Sequence, residues 1–364
     1  MALTAGIVGL PNVGKSTLFN AITKKSILVA NYPFTTIEPN LGVVTVPDER
    51  LKVLEEMYVP ETLVPTTFEF TDIAGLVKGA SLGEGLGNKF LSHIKEVDAI
   101  CMVLRCFEDP AVVHVESTID PIRDIEIVNI EMMLADLEIV NSRIEKIAKK
   151  AVSEKEFLKE YEILIKTMHN LDKNIPLRTI QYNEEEYKIL KNYNLLSLKP
   201  IIYIANIDEA NINNDDNKYV KQIETYAKKE GAKVVTICAK IESELSELND
   251  DDKYLYLKEL GISESGLDKL IKATYDLLGL ATFFTVVSNE VRAWTFKKGM
   301  TAKTCAGLIH TDFERGFIKA EVMSFSDLIK YGSEKAVREN GKLRLEGKDY
   351  LVEDGDICYF RFNV

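Results

Sequence analysis

Cysteine is scarce and scattered: Cys101, Cys106, Cys238, Cys305 and Cys358 are odd in number and lack paired C-x-x-C spacing, which argues against a disulfide framework and a zinc site. They are expected to be small buried apolar residues, and no disulfide-linked partner is expected. No run approaches the roughly 18 apolar residues that cross a bilayer. The start MALTAGIVGL passes straight into a strand pattern, so neither a leader nor a membrane partner is expected, and the chain is placed in the cytoplasm. An excess of positive charge is also missing. With 45 Lys and Arg against 57 Asp and Glu, the net charge of −12 argues against indiscriminate nucleic-acid binding. The stretches from about 126 to 199 and from about 281 to the end are roughly balanced in charge, and a negatively charged partner is expected to dock there.

What remains is a globular composition, 46% apolar and 28% charged, over 364 residues, which is too long for one ordinary core and suggests two or three domains. The chain is organised around Gly9-Leu10-Pro11-Asn12-Val13-Gly14-Lys15-Ser16, with Thr17 behind it, a full match to the phosphate-binding pattern G-x-x-x-x-G-K-S/T. Ala5–Val8 before it reads as a buried strand. Leu18, Phe19, Ala21 and Ile22 after it recur at helical spacing. In that strand-to-helix turn, backbone N–H groups and the positive helix end surround phosphate, Lys15 reaches the β and γ phosphates, and Ser16 offers a hydroxyl to Mg²⁺.

Asn31 to Asn40, with two prolines and two threonines, reads as a loop and as a first switch, with Thr36, or else Thr35, sensing the metal and the γ phosphate. Phe68 to Gly75 reads as a strand ending in Asp72-Ile73-Ala74-Gly75. Asp72 can hold Mg²⁺ through water, and the Gly75 N–H can meet the γ phosphate. The next residue is Leu76, which cannot orient water as a glutamine does there in Ras-like enzymes. Four glycines between Lys78 and Asn88 mark a second switch. After a buried strand, Val97–Arg105, a loop leads to His114, either a group that places the attacking water or a hydrogen-bonded loop histidine.

From about Asp124 apolar residues mix with charges at helical spacing, and the pattern resumes from about Ser153 to Met168, as in a charge-laced helical hairpin. Lys199–Asn206 returns to the strand pattern, which makes the hairpin an insertion. Asn206-Ile207-Asp208-Glu209 then stands where guanine-binding proteins carry Asn-Lys-x-Asp. Guanine presents two donors, N1–H and the 2-amino group, to that aspartate, whereas adenine offers an acceptor at N1 and a donor at N6. The displaced carboxylate at Glu209, Ile207 in place of lysine, and Asn206 or nearby carbonyls facing N6 point to ATP. Lys233–Ile237 leads to Cys238-Ala239-Lys240, similar to the Ser-Ala-Lys loop that caps the base. An acidic stretch, Glu242 to Asp252, and a helix, Gly266 to Leu278, close the domain. Beyond Ala281, strand candidates at 283–287, 292–296, 351–356 and 357–362, with a helix at 302–309, read as a small α+β domain with a mixed sheet. Arg292, Trp294, Lys297, Lys298, Arg315 and Lys319 are an RNA-facing patch, or ordinary surface charge around a core tryptophan.

GLPNVGKST, NYPFTTIEPN, DIAGLVKGAS, GEGLGN, the NIDE variant, HTDFERGFIKAE and EGKDYLVEDGD together resemble the YchF or Obg-like ATPase family over essentially the whole chain. The resemblance implies an α/β P-loop NTPase domain (1–125 and 200–280), an inserted coiled-coil-like helical domain (126–199) and a C-terminal TGS domain of β-grasp fold (281–364). It implies an ATPase that associates with ribosomes, through the helical and TGS domains, in translation or stress responses. ATP contacts carry over to Asn12, Val13, Gly14, Lys15, Ser16, Thr17, Asn206 and Ile207, with Glu209 and Ala239 in the base loops. Magnesium ligands carry over to Ser16 and Thr36, with Asp72 behind them, and His114 gains as a catalytic candidate beside Lys15 and Gly75. Asn12 leaves room for K⁺ as a further cofactor. A GTPase of the same architecture, and a scaffold whose nucleotide is mainly structural, are the alternatives.

Overall fold

The computed structural model describes residues 3–29, 40–73, 86–109, 118–214, 216–287 and 289–363. Thr36, Gly75, Leu76 and His114, with most of both switch stretches, lie outside them. Two compact units cluster separately, one including Glu69–Thr274 and the other Val44–Phe68 with Tyr275–Val364.

The first unit is built on β1 (Thr4–Val8), β4 (Thr67–Asp72), β5 (Ala99–Arg105), β6 (Ile201–Asn206) and β7 (Lys233–Ile237). With β2 (Leu41–Thr45) at one edge, the order is β2-β4-β1-β5-β6-β7, and the pairs from β4 to β7 are parallel. β5 and β6 are buried at every position, as a parallel sheet covered on both faces demands. β1 lies between β4 and β5, where the chain changes its direction of travel across the sheet. The crevice at the carboxyl ends there is where such sheets bind ligands.

The insertion is a hairpin of α4 (Pro121–Ala151) and α5 (Lys155–Asp172). Asp120 caps α4 by accepting from the N–H groups of Ile122 and Arg123, and Pro121 begins the helix where its missing N–H costs nothing. At 31 residues α4 is about 46 Å long. Met133, Val140 and Ile147 on α4 meet Ile163, Leu164 and Leu171 on α5 in a core of their own. The chain returns to β6 through Leu196 and Ser197, whose N–H groups donate to the buried Asp136 carboxylate at 2.7 and 2.8 Å. The acidic stretch Glu242 to Asp252 overlaps α8 (Ala239–Leu245) and α9 (Asp250–Glu259).

The second unit has the sheet β11-β10-β12-β8-β9-β3, formed by β8 (Leu280–Val287), β9 (Glu290–Lys297), β10 (Phe317–Ser324), β11 (Arg344–Glu346), β12 (Asp356–Phe362) and β3 (Thr62–Val64). β8 and β12 run parallel in the middle and α11 (Ala302–Ile309) lies between β9 and β10 in the chain, the layout of a β-grasp. Strand alternation splits neighbours between two cores: Phe283, Val322 and Cys358 pack with Cys305 of α11, whereas Phe284, Met323 and Ile357 pack with Leu51 and Leu54 of α2 (Glu49–Tyr58). Residues 44–68, assigned by sequence to the nucleotide-binding domain, thus contribute α2 and the edge strand β3 to this unit. The expected strand at 351–356 is absent: Leu351 makes one isolated bridge to Thr301, and the chain turns at Asp354-Gly355 before β12 begins.

Candidate nucleotide-binding site

The phosphate loop joins β1 to α1 (Lys15–Val29), at the carboxyl edge of the sheet. Two of its residues take the left-handed backbone, Asn12 at φ 63° and Gly14 at φ 93°. At Gly14 a side chain is also excluded by space, since a Cβ would stand 2.1 Å from Asn206 Nδ2. Asn206 ends β6 with both halves of its amide committed. Nδ2 donates to the Val13 main-chain oxygen at 2.8 Å, and Oδ1 accepts from the Ala239 N–H at 3.0 Å. It is buried, so it fastens the phosphate loop to the loop after β7 and forms the floor of the site with its amide turned inward.

Lys15, at the first turn of α1, forms an ion pair with Asp72 at the end of β4; both side chains are largely buried. Ser16 follows on the same turn. Its hydroxyl and the Asp72 carboxylate are hard oxygen donors, the ligand type Mg²⁺ selects. Among the described residues no group of three or more His, Cys, Asp or Glu could hold a metal by itself. That fits a site in which the nucleotide's own phosphates supply further ligands.

A cleft of about 560 Å³ runs along Pro11, Asn12, Lys15 and Ser16, and a second of about 370 Å³ opens between Ile207, Glu209, Ala239 and Lys240. They share Gly14, Thr17 and Phe107 as walls, which gives a phosphate side and a base side joined at the loop. Phe107 is a wall residue that no motif marks. It is set by Arg105, buried at the end of β5, whose guanidinium lies 4.7 Å from the ring centroid while Nε donates to the Phe107 carbonyl at 3.1 Å and Nη2 to the Asp109 carbonyl at 3.2 Å. The spacing Arg105-x-Phe107-x-Asp109 after a buried strand was the available signal.

The acidic groups around the base side are engaged. Asp208 accepts from the Asn211 N–H at 3.0 Å and from its Nδ2 at 2.6 Å, capping a short 3-10 turn. Glu209 meets Lys240 Nζ at 2.9 Å, and both line the cleft. Glu108 accepts from Tyr219 at 2.9 Å and pairs with Lys218 at 3.2 Å, contacts that hold its carboxyl below the usual range. In the second unit, Arg292 stacks on Trp294 at 4.2 Å, and the indole N–H donates to Thr285 at 2.9 Å, so the tryptophan is tied into the sheet while the arginine covers it.

Residues 4–141 match the family model described as "50S ribosome-binding GTPase", and residues 280–363 match that of the YchF GTPase C-terminal domain, described as a protein of unknown function. The chain is 57% identical to the ribosome-binding ATPase YchF of Bacillus subtilis and 52% to that of Haemophilus influenzae, covering 100% of both partners in each case. The structure of the Schizosaccharomyces pombe YchF GTPase superposes with a TM-score of 0.90 at 40% identity, over 99% of this chain and 97% of that one. With matches of this identity running from end to end, the chain belongs to the YchF family.

Proposed function

We propose that the protein is a Mg²⁺-dependent ATPase that acts as a nucleotide-driven switch on the ribosome, in the cytoplasm. The observation that carries the ATP reading is the engagement of Asp208 and Glu209 beside the base cleft: neither carboxylate of this pair is free to take guanine's paired donors. A site that leaves such donors unpaired discriminates strongly against them. The names of the relatives, ribosome-binding ATPases, support both the substrate and the partner.

In this reading the N–H groups of Asn12 to Thr17 cradle the phosphates, and Lys15 leaves Asp72 to meet the β and γ phosphates. Ser16, Thr36 and Asp72 would hold Mg²⁺, directly or through water. The ion supplies charge stabilisation to the transferring phosphoryl group. The Gly75 N–H would meet the γ phosphate. Leu76 has no group to orient water, so His114 or a bound partner does so. Asn206, Ile207, Glu209 and Ala239 shape the base side, and Asn12 is the place for K⁺. The nucleotide-binding domain spans 1–125 and 200–274 without 44–68, which belongs with the C-terminal unit; the helical hairpin spans 126–199, the C-terminal unit is a TGS domain, and these last two dock on ribosomal subunits or ribosomal RNA.

Calorimetric titration of the nucleotide-free protein with ATP and with GTP, each with Mg²⁺, tests the substrate. Tighter ATP binding is expected, and preference for GTP overturns the reading. Ribosome cosedimentation in ADP and in a non-hydrolysable ATP analogue tests the switch, since equal affinity means no nucleotide-driven shift. Unchanged turnover of His114→Ala, alone and with ribosomes, removes that residue from the mechanism. A GTPase reading is favoured by the descriptions of the matching nucleotide-domain model and of the fission-yeast structure, both of which say GTPase. The same titration decides between them.

A further inference from the structure

We infer that Lys240 determines nucleobase choice by holding the Glu209 carboxylate away from guanine. The inference rests on the ATP reading above and adds a residue to it. Of the two carboxylates in Asn206-Ile207-Asp208-Glu209, Asp208 is spent on local structure, because both its bonds go to Asn211 and fold the 3-10 turn that follows β6. Glu209 takes no part in that turn through its side chain. It lines the base cleft, and its Oε1 is 2.9 Å from Nζ of Lys240, which lines the same cleft. Lys240 is the second residue of α8, whose first N–H, that of Ala239, donates to Asn206, so the helix start that carries the ammonium is held by the same anchor that shapes the floor.

A carboxylate facing this cleft accepts guanine's N1–H and 2-amino hydrogens unless another donor already occupies it. Adenine gains nothing from it, because its edge offers an acceptor at N1. Lys240 therefore weakens GTP selectively while leaving ATP largely untouched. The pair is half exposed, with 68% of the Lys240 and 45% of the Glu209 side chain accessible. Such pairs contribute little to stability, so Lys240 can be removed without unfolding the chain. The ammonium is a filter on the base more than a brace of the fold.

The test is a set of calorimetric titrations with ATP and GTP, each with Mg²⁺, on the full-length chain as wild type, Lys240→Ala, Lys240→Arg, Glu209→Gln and the double variant Lys240→Ala/Glu209→Gln. The readout is the ratio of the GTP to the ATP dissociation constant. Lys240→Ala is expected to lower that ratio at least threefold, mainly by tightening GTP. Lys240→Arg keeps a cation on Glu209 and is expected to keep the wild-type ratio. In the Glu209→Gln background the effect of removing Lys240 should vanish. An unchanged ratio in Lys240→Ala, or an equal drop in the Glu209→Gln background, overturns the inference. If wild type shows no preference for ATP, the substrate reading fails on its own, whereas the change in ratio between variants still decides the role of Lys240.

Discussion

Asn206 Nδ2 donates to the main-chain oxygen of Val13 at 2.8 Å, so the end of β6 and the phosphate loop are one hydrogen-bonded piece. The other half of the amide holds the Ala239 N–H. Asn206→Ala leaves a buried carbonyl and a buried N–H unpaired, at a cost of about 1–3 kcal/mol each. We expect a lower unfolding midpoint in urea and weaker binding of both ATP and GTP. Asn206→Asp removes the donor and sets a carboxylate against the Val13 oxygen, and is expected to be at least as damaging. A variant that bound nucleotide normally would mean that the loop is held by other contacts.

The Lys15 and Asp72 pair gives a second expectation. With Lys15 only 10% and Asp72 22% accessible, Asp72→Ala strands an ammonium in a poorly solvated site, which destabilises the nucleotide-free protein by roughly 1–3 kcal/mol. Lys15→Ala strands the carboxylate and also removes the cation proposed to meet the β and γ phosphates, so turnover should fall by about 100-fold or more. Urea denaturation without nucleotide and steady-state phosphate release measure the two effects. Equal turnover in wild type and Lys15→Ala would dismiss the assigned role.

Where the apolar period is clean the fold was legible: the strand at Lys233–Ile237 and the helix at Ala302–Ile309 have the bounds read from sequence. Where charge interrupts the period it was not. α9 opens with three aspartates in its first turn, and that run of charge hides the helical period. The segment 44–68 has no local sign of its destination, because β3 is three residues long and pairs with β9 through Thr62 and Glu290, partners remote in sequence. Pro60 and Pro65 flank β3, which suits an edge strand, but nothing nearby in the chain says which sheet it edges. The site was legible as a motif at Gly9–Ser16 and illegible at Asn206, since a residue pattern does not tell whether an amide faces a ligand or the main chain.

All five cysteines are free and buried. Burial pushes the thiols of Cys101 and Cys305 up to about 12 and that of Cys106 higher still, so almost no thiolate exists at neutral pH. A thiol reagent at pH 8 should modify less than one group per native chain within minutes and all five after denaturation. Cys238 lines the base cleft and is the most informative of them. Rapid reaction there, suppressed by ATP, would show that its loop opens in the free protein.

The last expectation concerns the root of the helical hairpin. Asp136 of α4 is inaccessible and accepts from the Leu196 N–H, the Ser197 N–H and the Ser197 hydroxyl, which tie the returning chain to α4 just before β6. Burial outweighs these bonds and the attraction of Lys95, and pushes the carboxyl up to about 6. Between about pH 4 and 6 the native state therefore holds a proton that the unfolded chain has released. The stabilising contribution of that protonation is complete below about pH 4 and is lost as pH rises through about 6, a change of roughly 3 kcal/mol. Asp136→Asn cannot titrate, so wild type should lose stability relative to the variant by that amount between pH 4 and pH 7, with other carboxylates cancelling in the difference. Urea denaturation of both proteins across that range measures it. A difference that stays flat, or that grows in favour of wild type as pH rises, would mean that the three hydrogen bonds outweigh burial and the group is ionised throughout.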